Sequence, residues 1–188
     1  GGRGVRCVGG GLMDGAQRVN VVCSWGGWLA DYHGVGKATS ELLPMIGVPT
    51  TAGTGSETQS FAVISDAATH EKMACGDKRA AFKAAILDPL TTVTQPVPVT
   101  AATGIDAISH AVESYVTRQR SDVSRKLSVA AWNLLSENFQ KVIELPEDVA
   151  ARAAMQLGAF LAGLAIAHSM PGAAHSAPHL PTARPCDV

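Results

Sequence analysis

A chain of 188 residues, 46% hydrophobic and 16% charged, has enough apolar side chain to bury a sizeable core. Its net charge of −1 supplies no basic footprint for nucleic acid, so no nucleic-acid partner is expected. The most apolar run, Met155 to Ala167, falls short of a membrane span, and Cys7, Cys23, Cys75 and Cys186 form no CxxC pair. These features predict a cytoplasmic protein with free thiols and no membrane partner.

In chain order, Val5 to Val8 predicts a short strand that runs into the glycines Gly9 to Gly11. Leu42 to Val48 predicts a second, buried strand, ended by Pro49. The residues that follow, Thr50, Thr51, Ala52, Gly53, Thr54, Gly55 and Ser56, are all small and most carry a hydroxyl. A dinucleotide needs that combination, because its backbone contacts tolerate no bulk and its phosphate, ribose and carboxamide groups take short donors. An ordinary Gly/Thr-rich turn has the same composition, so the loop alone leaves both readings open. Phe61 to Ser65 and Ala84 to Leu87 complete the strand-like runs, with Gly, Pro and Asp between them as in an α/β layer.

Near Pro98 the pattern changes to helical. Ala102 to Val116 predicts one helix, Asp122 to Ile143 a second with Leu127, Ala130, Ala131, Leu134 and Leu135 as its apolar stripe, and Pro146-Glu147-Asp148 opens a third that runs to about Ala167. The expected division is therefore an incomplete, mostly parallel α/β part over residues 1–98 and an all-helical part over residues 99–188. Within the first helix, Asp106 and His110 are one turn apart, so a carboxylate and an imidazole share a face and can grip one ion. A helix-start charge beside a packing histidine is the alternative for those two residues. The later run HSMPGAAHSAPHL offers His175 as a third ligand, and this mixture of donors suits iron or zinc rather than calcium.

The blocks VGGGLMD, LPMIGVPTTAGTGSETQSFAVISD, EKMACGDKRAAFKAAILDP, VTAATGIDAISHAVESYVT and MQLGAFLAGLAIAHSMPGAAH, in this order along nearly the whole chain, resemble the iron-containing (group III) alcohol dehydrogenases. The resemblance implies a dehydroquinate-synthase-like architecture with a cleft between its nucleotide-binding and helical parts. It also implies NAD(P)-linked interconversion of a small alcohol and its aldehyde or ketone, with Fe2+ or Zn2+ as the metal. Residue by residue, it matches Gly10, Gly11, Asp14, Thr50, Thr51, Thr54, Ser56 and Lys72 to the cofactor, and Asp106, His110 and His175 to the metal. His179 matches a histidine beside the substrate. The run GGGLMDGAQ departs from the family's usual GGGS by lacking a hydroxyl and a lysine.

Compared with that family, the chain opens on a middle strand and closes before a fourth ligand histidine, which predicts an internal fragment of weak activity. A partial sheet exposes an unpaired edge, so pairing into a homo-oligomer is expected. Two alternatives accompany this reading. One is a catalytically inactive fragment or pairing subunit of the same family. The other is a glycerol-dehydrogenase-like enzyme, which the intact Asp106/His110 spacing disfavours.

Overall fold

The computed structural model describes residues 5–8, 10–27, 29–37, 41–65 and 72–169. Two small sheets form in the first half. In one, β1 (Val5–Val8), β3 (Met45–Val48) and β6 (Ala84–Ala85) lie in the order β1-β3-β6 and all pair in parallel. In the other, β2 (Gly34–Val35), β5 (Lys72–Gly76) and β4 (Phe61–Ser65) lie in the order β2-β5-β4, with β4 and β5 antiparallel. The first sheet fits the expected mostly parallel layer, and the second adds the antiparallel β4–β5 pair that carries Lys72.

The helix α1 (Gly10–Trp25) follows β1 directly and touches both β1 and β4. Gln17, fully buried on α1, donates from Nε2 to the carbonyls of Gln59 and Ala80, at 3.0 Å each. Asn20, also buried, donates to Leu43 O at 2.7 Å and accepts from Leu43 N at 3.1 Å. Amide side chains, rather than apolar contacts alone, thus tie α1 to both ends of the segment containing β3. Leu42 to Pro44, predicted as strand, form no ladder, and β3 begins at Met45.

Three long helices form the second half: α2 (Val97–Val116), α3 (Asp122–Glu144) and α4 (Val149–Ser169). Helix α2 starts five residues before the predicted Ala102. Its first turn contains Pro98, where a missing N–H costs nothing, and Thr100 N already donates to Pro96 O at 3.0 Å. Helix α3 opens with a reciprocal cap. Ser121 Oγ accepts from Ser124 N, and Ser124 Oγ accepts from Ser121 N. At the start of α4 the Asp148 carboxylate accepts from the amides of Ala150 and Ala151.

The three helices pack on one another around Ala107, Ala111, Ala131, Leu135, Val142, Ala151, Met155, Ala159 and Ala162. The α3 stripe differs from the predicted one. Ala130 is exposed, whereas Ser124 and Ser128 take the buried face, and Ser128 Oγ bonds Ser114 Oγ of α2 at 2.7 Å. Hydroxyls satisfied across a helix pair occupy core positions that an apolar count misses. Close approach of α3 and α4 requires Gly158, because a Cβ there would stand 2.8 Å from Leu135 Cγ. By length and composition α4, at 21 residues, is apolar enough to cross a membrane, which the shorter run Met155 to Ala167 is not. Its burial between α2 and α3 explains the composition, since a helix apolar on most sides is a core helix in a packed bundle.

Candidate functional site

The parallel register of β1 and β3 pairs Val8 with Val48, so both strands end side by side. From Val8 the chain passes to Gly10 and Gly11, the first two residues of α1; from Val48 it passes through Pro49 into the Thr50–Ser56 loop. Two of the three sequence-predicted cofactor segments therefore leave the carboxyl edge of one sheet from neighbouring strands, which is where ligands bind in open α/β sheets. Asp14 lies in the first turns of α1. Lys72, the third segment, pairs with Ser65 at the turn end of the β4–β5 hairpin, while Phe61 and Gly76 pair at the end next to the loop. The side chains of Asp14 and Lys72 lie outside what the structure describes.

Inside the loop, Thr54 Oγ1 accepts from Ser56 Oγ at 3.2 Å and from Ser56 N at 3.4 Å, and Thr58 Oγ1 donates to Gly55 O at 2.7 Å. Thr50, Thr51 and Thr54 are half-buried and Ser56 is buried. Two glycines let the loop press against helices. A Cβ at Gly53 would lie 2.5 Å from the Thr103 carbonyl oxygen of α2, and one at Gly55 would lie 2.9 Å from Gly163 Cα of α4. Gly55 also has φ +60°, a conformation that L side chains rarely adopt. Just before them, Ala52 belongs to the helical core. The loop is thus built into the junction of the α/β and helical parts.

Thr103 is one turn before Asp106 on α2, so the loop meets that helix beside the predicted metal pair. Asp106 Oδ1 and His110 Nε2 stand 3.5 Å apart, with the carboxylate 44% exposed and the imidazole buried. Two ligand atoms each about 2.1 Å from a tetrahedral ion are separated by roughly 3.4 Å. The pair therefore fits a shared divalent ion, and its open side faces solvent through Asp106. Among the described residues, no group of three or more His, Cys, Asp and Glu gathers at one point. His175, the third predicted ligand, and His179, the predicted substrate neighbour, lie outside the described residues.

Glu57, directly after the loop, was not among the predicted site residues, although it closes the GTGSE run. It is 7% exposed. Burial pushes its carboxyl above the usual range, and a hydrogen bond with its own backbone partly offsets this. A raised folded-state pKa means that the native state holds the proton longer than the unfolded chain. Glu57's contribution then favours the folded state most at low pH, and its penalty grows as pH rises from about 4.5 toward the folded value. Glu57→Gln should therefore raise stability at pH 7 and leave it unchanged at pH 3.5. Urea unfolding at both pH values checks this, and equal effects at the two would remove the titration argument.

A parallel sheet with a glycine-led helix and a hydroxyl loop at its carboxyl edge, joined through that loop to a helical bundle bearing an Asp/His pair, defines a two-part α/β-plus-helical protein. The chain belongs to the iron-containing alcohol dehydrogenase family. The model of iron-containing alcohol dehydrogenase matches residues 5–89, and that of the family's C-terminal part matches residues 100–185. The NAD-dependent methanol dehydrogenase of Bacillus methanolicus is 39% identical over 171 residues, covering 91% of this chain and 45% of that enzyme. The alcohol dehydrogenase structure from Oenococcus oeni superposes with a TM-score of 0.86 at 30% identity, over 92% of this chain and 45% of that one. Sulfoacetaldehyde reductase from Bifidobacterium kashiwanohense, in complex with NAD+, gives a TM-score of 0.77 at 29% identity, over 85% of this chain and 43% of that one. The chain thus spans less than half the length of these relatives.

Proposed function

We propose that this chain carries the dinucleotide- and metal-binding centre of an NAD(P)-linked alcohol dehydrogenase, which interconverts a small alcohol and its aldehyde or ketone. The observation that carries this reading is the contact of Gly53 with Thr103, which sets the hydroxyl loop one turn from Asp106. In this reading residues 1–98 hold the cofactor and residues 99–188 the metal. NAD is favoured as the dinucleotide, since one relative is named for it and one similar structure contains it.

Gly10 and Gly11 begin α1, where backbone amides and the helix dipole suit a pyrophosphate. Thr50, Thr51, Thr54 and Ser56 supply short donors, with Asp14 and Lys72 completing the cofactor contacts. Asp106 and His110 would hold the metal together with His175, and His179 would stand beside the substrate. Fe2+, or Zn2+ in the same ligands, would supply Lewis acidity toward the alcohol oxygen while the nicotinamide takes the hydride. Burial of His110 fixes one donor rigidly in the core. The exposed edge of Asp106 leaves room for a substrate oxygen on the opposite side.

The test has two arms. Titration with NADH and NADPH, followed by nicotinamide fluorescence, should give saturable binding with NADH the tighter. Anaerobic loading with Fe2+ or Zn2+, followed by short primary alcohols and diols with NAD+, should give metal-dependent NADH formation. Absence of binding to either dinucleotide would sink the reading.

A further inference from the structure

The hydroxyl loop leaves the sheet but is clamped by α4. On that helix Arg152, Gln156, Ala159 and Gly163 recur at intervals of four, three and four residues and so form one stripe. The stripe follows the loop from its start to its end. Arg152 Nη1 donates to Thr100 Oγ1 at the start of α2 at 3.0 Å, and Arg152 Nε donates to Pro146 O at 2.8 Å. One turn on, Gln156 Nε2 donates to Pro49 O at 3.0 Å. Further along, Ala159 and Gly163 abut Gly55. The Pro49 carbonyl, the last acceptor before the loop, also lies 2.8 Å from Thr91 Oγ1, whose one proton it shares with Asp88 O at 2.7 Å.

Stability alone is a poor reason for these side chains. Gln156 is 1% exposed and Arg152 2%, and among the described residues Gln156 Oε1 and Arg152 Nη2 are buried with no hydrogen-bond partner. An apolar residue of similar size would avoid that desolvation cost in a buried helix face made mostly of Ala and Gly with Met155 and Ile166. What Gln156 supplies and an apolar residue does not is a directed bond to Pro49, 107 residues away in sequence.

We propose that Gln156 is a positioning residue for the cofactor loop. Acting through the Pro49 carbonyl together with Thr91, it fixes where the loop starts relative to α4. Arg152 ties the same helix to the start of α2, so loop and Asp106/His110 helix share one rigid reference. This inference rests on the reading of Thr50–Ser56 as the dinucleotide loop.

The experiment measures NADH dissociation constants and melting temperatures side by side. Gln156→Leu, close in volume but without a donor, should weaken NADH binding about fivefold to tenfold, in keeping with the loss of one buried hydrogen bond. Thr91→Val, which removes the other donor, should weaken it in the same direction, and Thr91→Ser, which keeps the hydroxyl, should restore wild-type affinity. Val142→Ala on α3 lowers the melting temperature through core packing and leaves both bonds to Pro49 in place, so its affinity should stay within twofold of wild type. If Gln156→Leu and Thr91→Val lower the melting temperature yet bind NADH like the wild type, the positioning role is overturned and the loop's function survives. If Gln156→Leu does not fold, the Thr91→Val and Thr91→Ser pair decides by the same criterion. A wild-type chain that binds no NADH would overturn both readings.

Discussion

Alanine at Gly53 should destabilise the protein by about 2–4 kcal/mol and separate the hydroxyl loop from α2. The new Cβ would stand 2.5 Å from Thr103 Cβ, 2.5 Å from its carbonyl oxygen and 2.8 Å from its carbonyl carbon. Two of those atoms are helix backbone, which cannot swing aside as the end of a flexible side chain can. Either α2 shifts as a body or the loop retreats, and Ala52 next to it then leaves the helical core. Gly163→Ala tests the other wall of the same loop, with a Cβ 2.5 Å from Thr58 Oγ1 and 3.0 Å from Gly55 Cα. Part of that clash falls on a hydroxyl that can rotate, so its cost should be smaller. Gly15→Ala on α1 is the control. Nothing lies within 4 Å of its Cβ, and alanine is favoured over glycine in a helix by up to about 1 kcal/mol. Urea unfolding of the three variants ranks them, and a Gly53→Ala protein within about 0.5 kcal/mol of wild type would show that the loop is not wedged as described.

Local pattern was legible in the sequence wherever the physics is local. β1 and β4 occupy Val5–Val8 and Phe61–Ser65, the strand-like runs set between breakers, and α3 starts at Asp122 as its helical pattern predicts. The Asp106/His110 pair follows from helix geometry alone, because a four-residue interval is one turn. Errors arose where a local signal has two meanings. The helical pattern reads from Ala102, yet proline suits a first helical turn, so Pro98 falls inside α2, which begins at Val97. Leu42 and Pro44 read as strand, yet Leu42 packs with Val21 and Ala80 without joining a ladder.

Other features were invisible because they depend on partners far away in sequence. Nothing near Pro49 predicts that a glutamine 107 residues later will take its carbonyl. The polar Arg152 and Gln156 in an apolar run were the available signal, since a buried amide or guanidinium in a core helix must find a distant acceptor. Glu57 is a similar case. An acid after a glycine-rich loop looks solvated, and only the packing of the Ser56–Thr58 turn against α1 and α4 buries it.

The largest functional effect should come from the Asp106/His110 pair. Asp106→Asn and His110→Ala are each expected to lower metal affinity by more than 100-fold and to abolish metal-dependent alcohol oxidation. Loss of groups that only orient a ligand typically costs 10–100-fold, and these residues are proposed to touch the ion directly. Asp106→Asn is the cleaner variant, because the side chain is 44% exposed and the change removes a charge with little change of shape. His110→Ala also leaves a gap beside Ala107 and Ala111 in the core, so His110→Gln should accompany it as a volume control. Competition for Zn2+ against a chromophoric chelator reads the affinity, and NADH titration reads the neighbouring cofactor loop. The expected pattern is lost metal binding with NADH affinity kept within about threefold, because the loop touches α2 at Thr103 rather than at either ligand. Metal retained by both Asp106→Asn and His110→Gln at wild-type affinity would show that their 3.5 Å approach is an ordinary helix-face pairing.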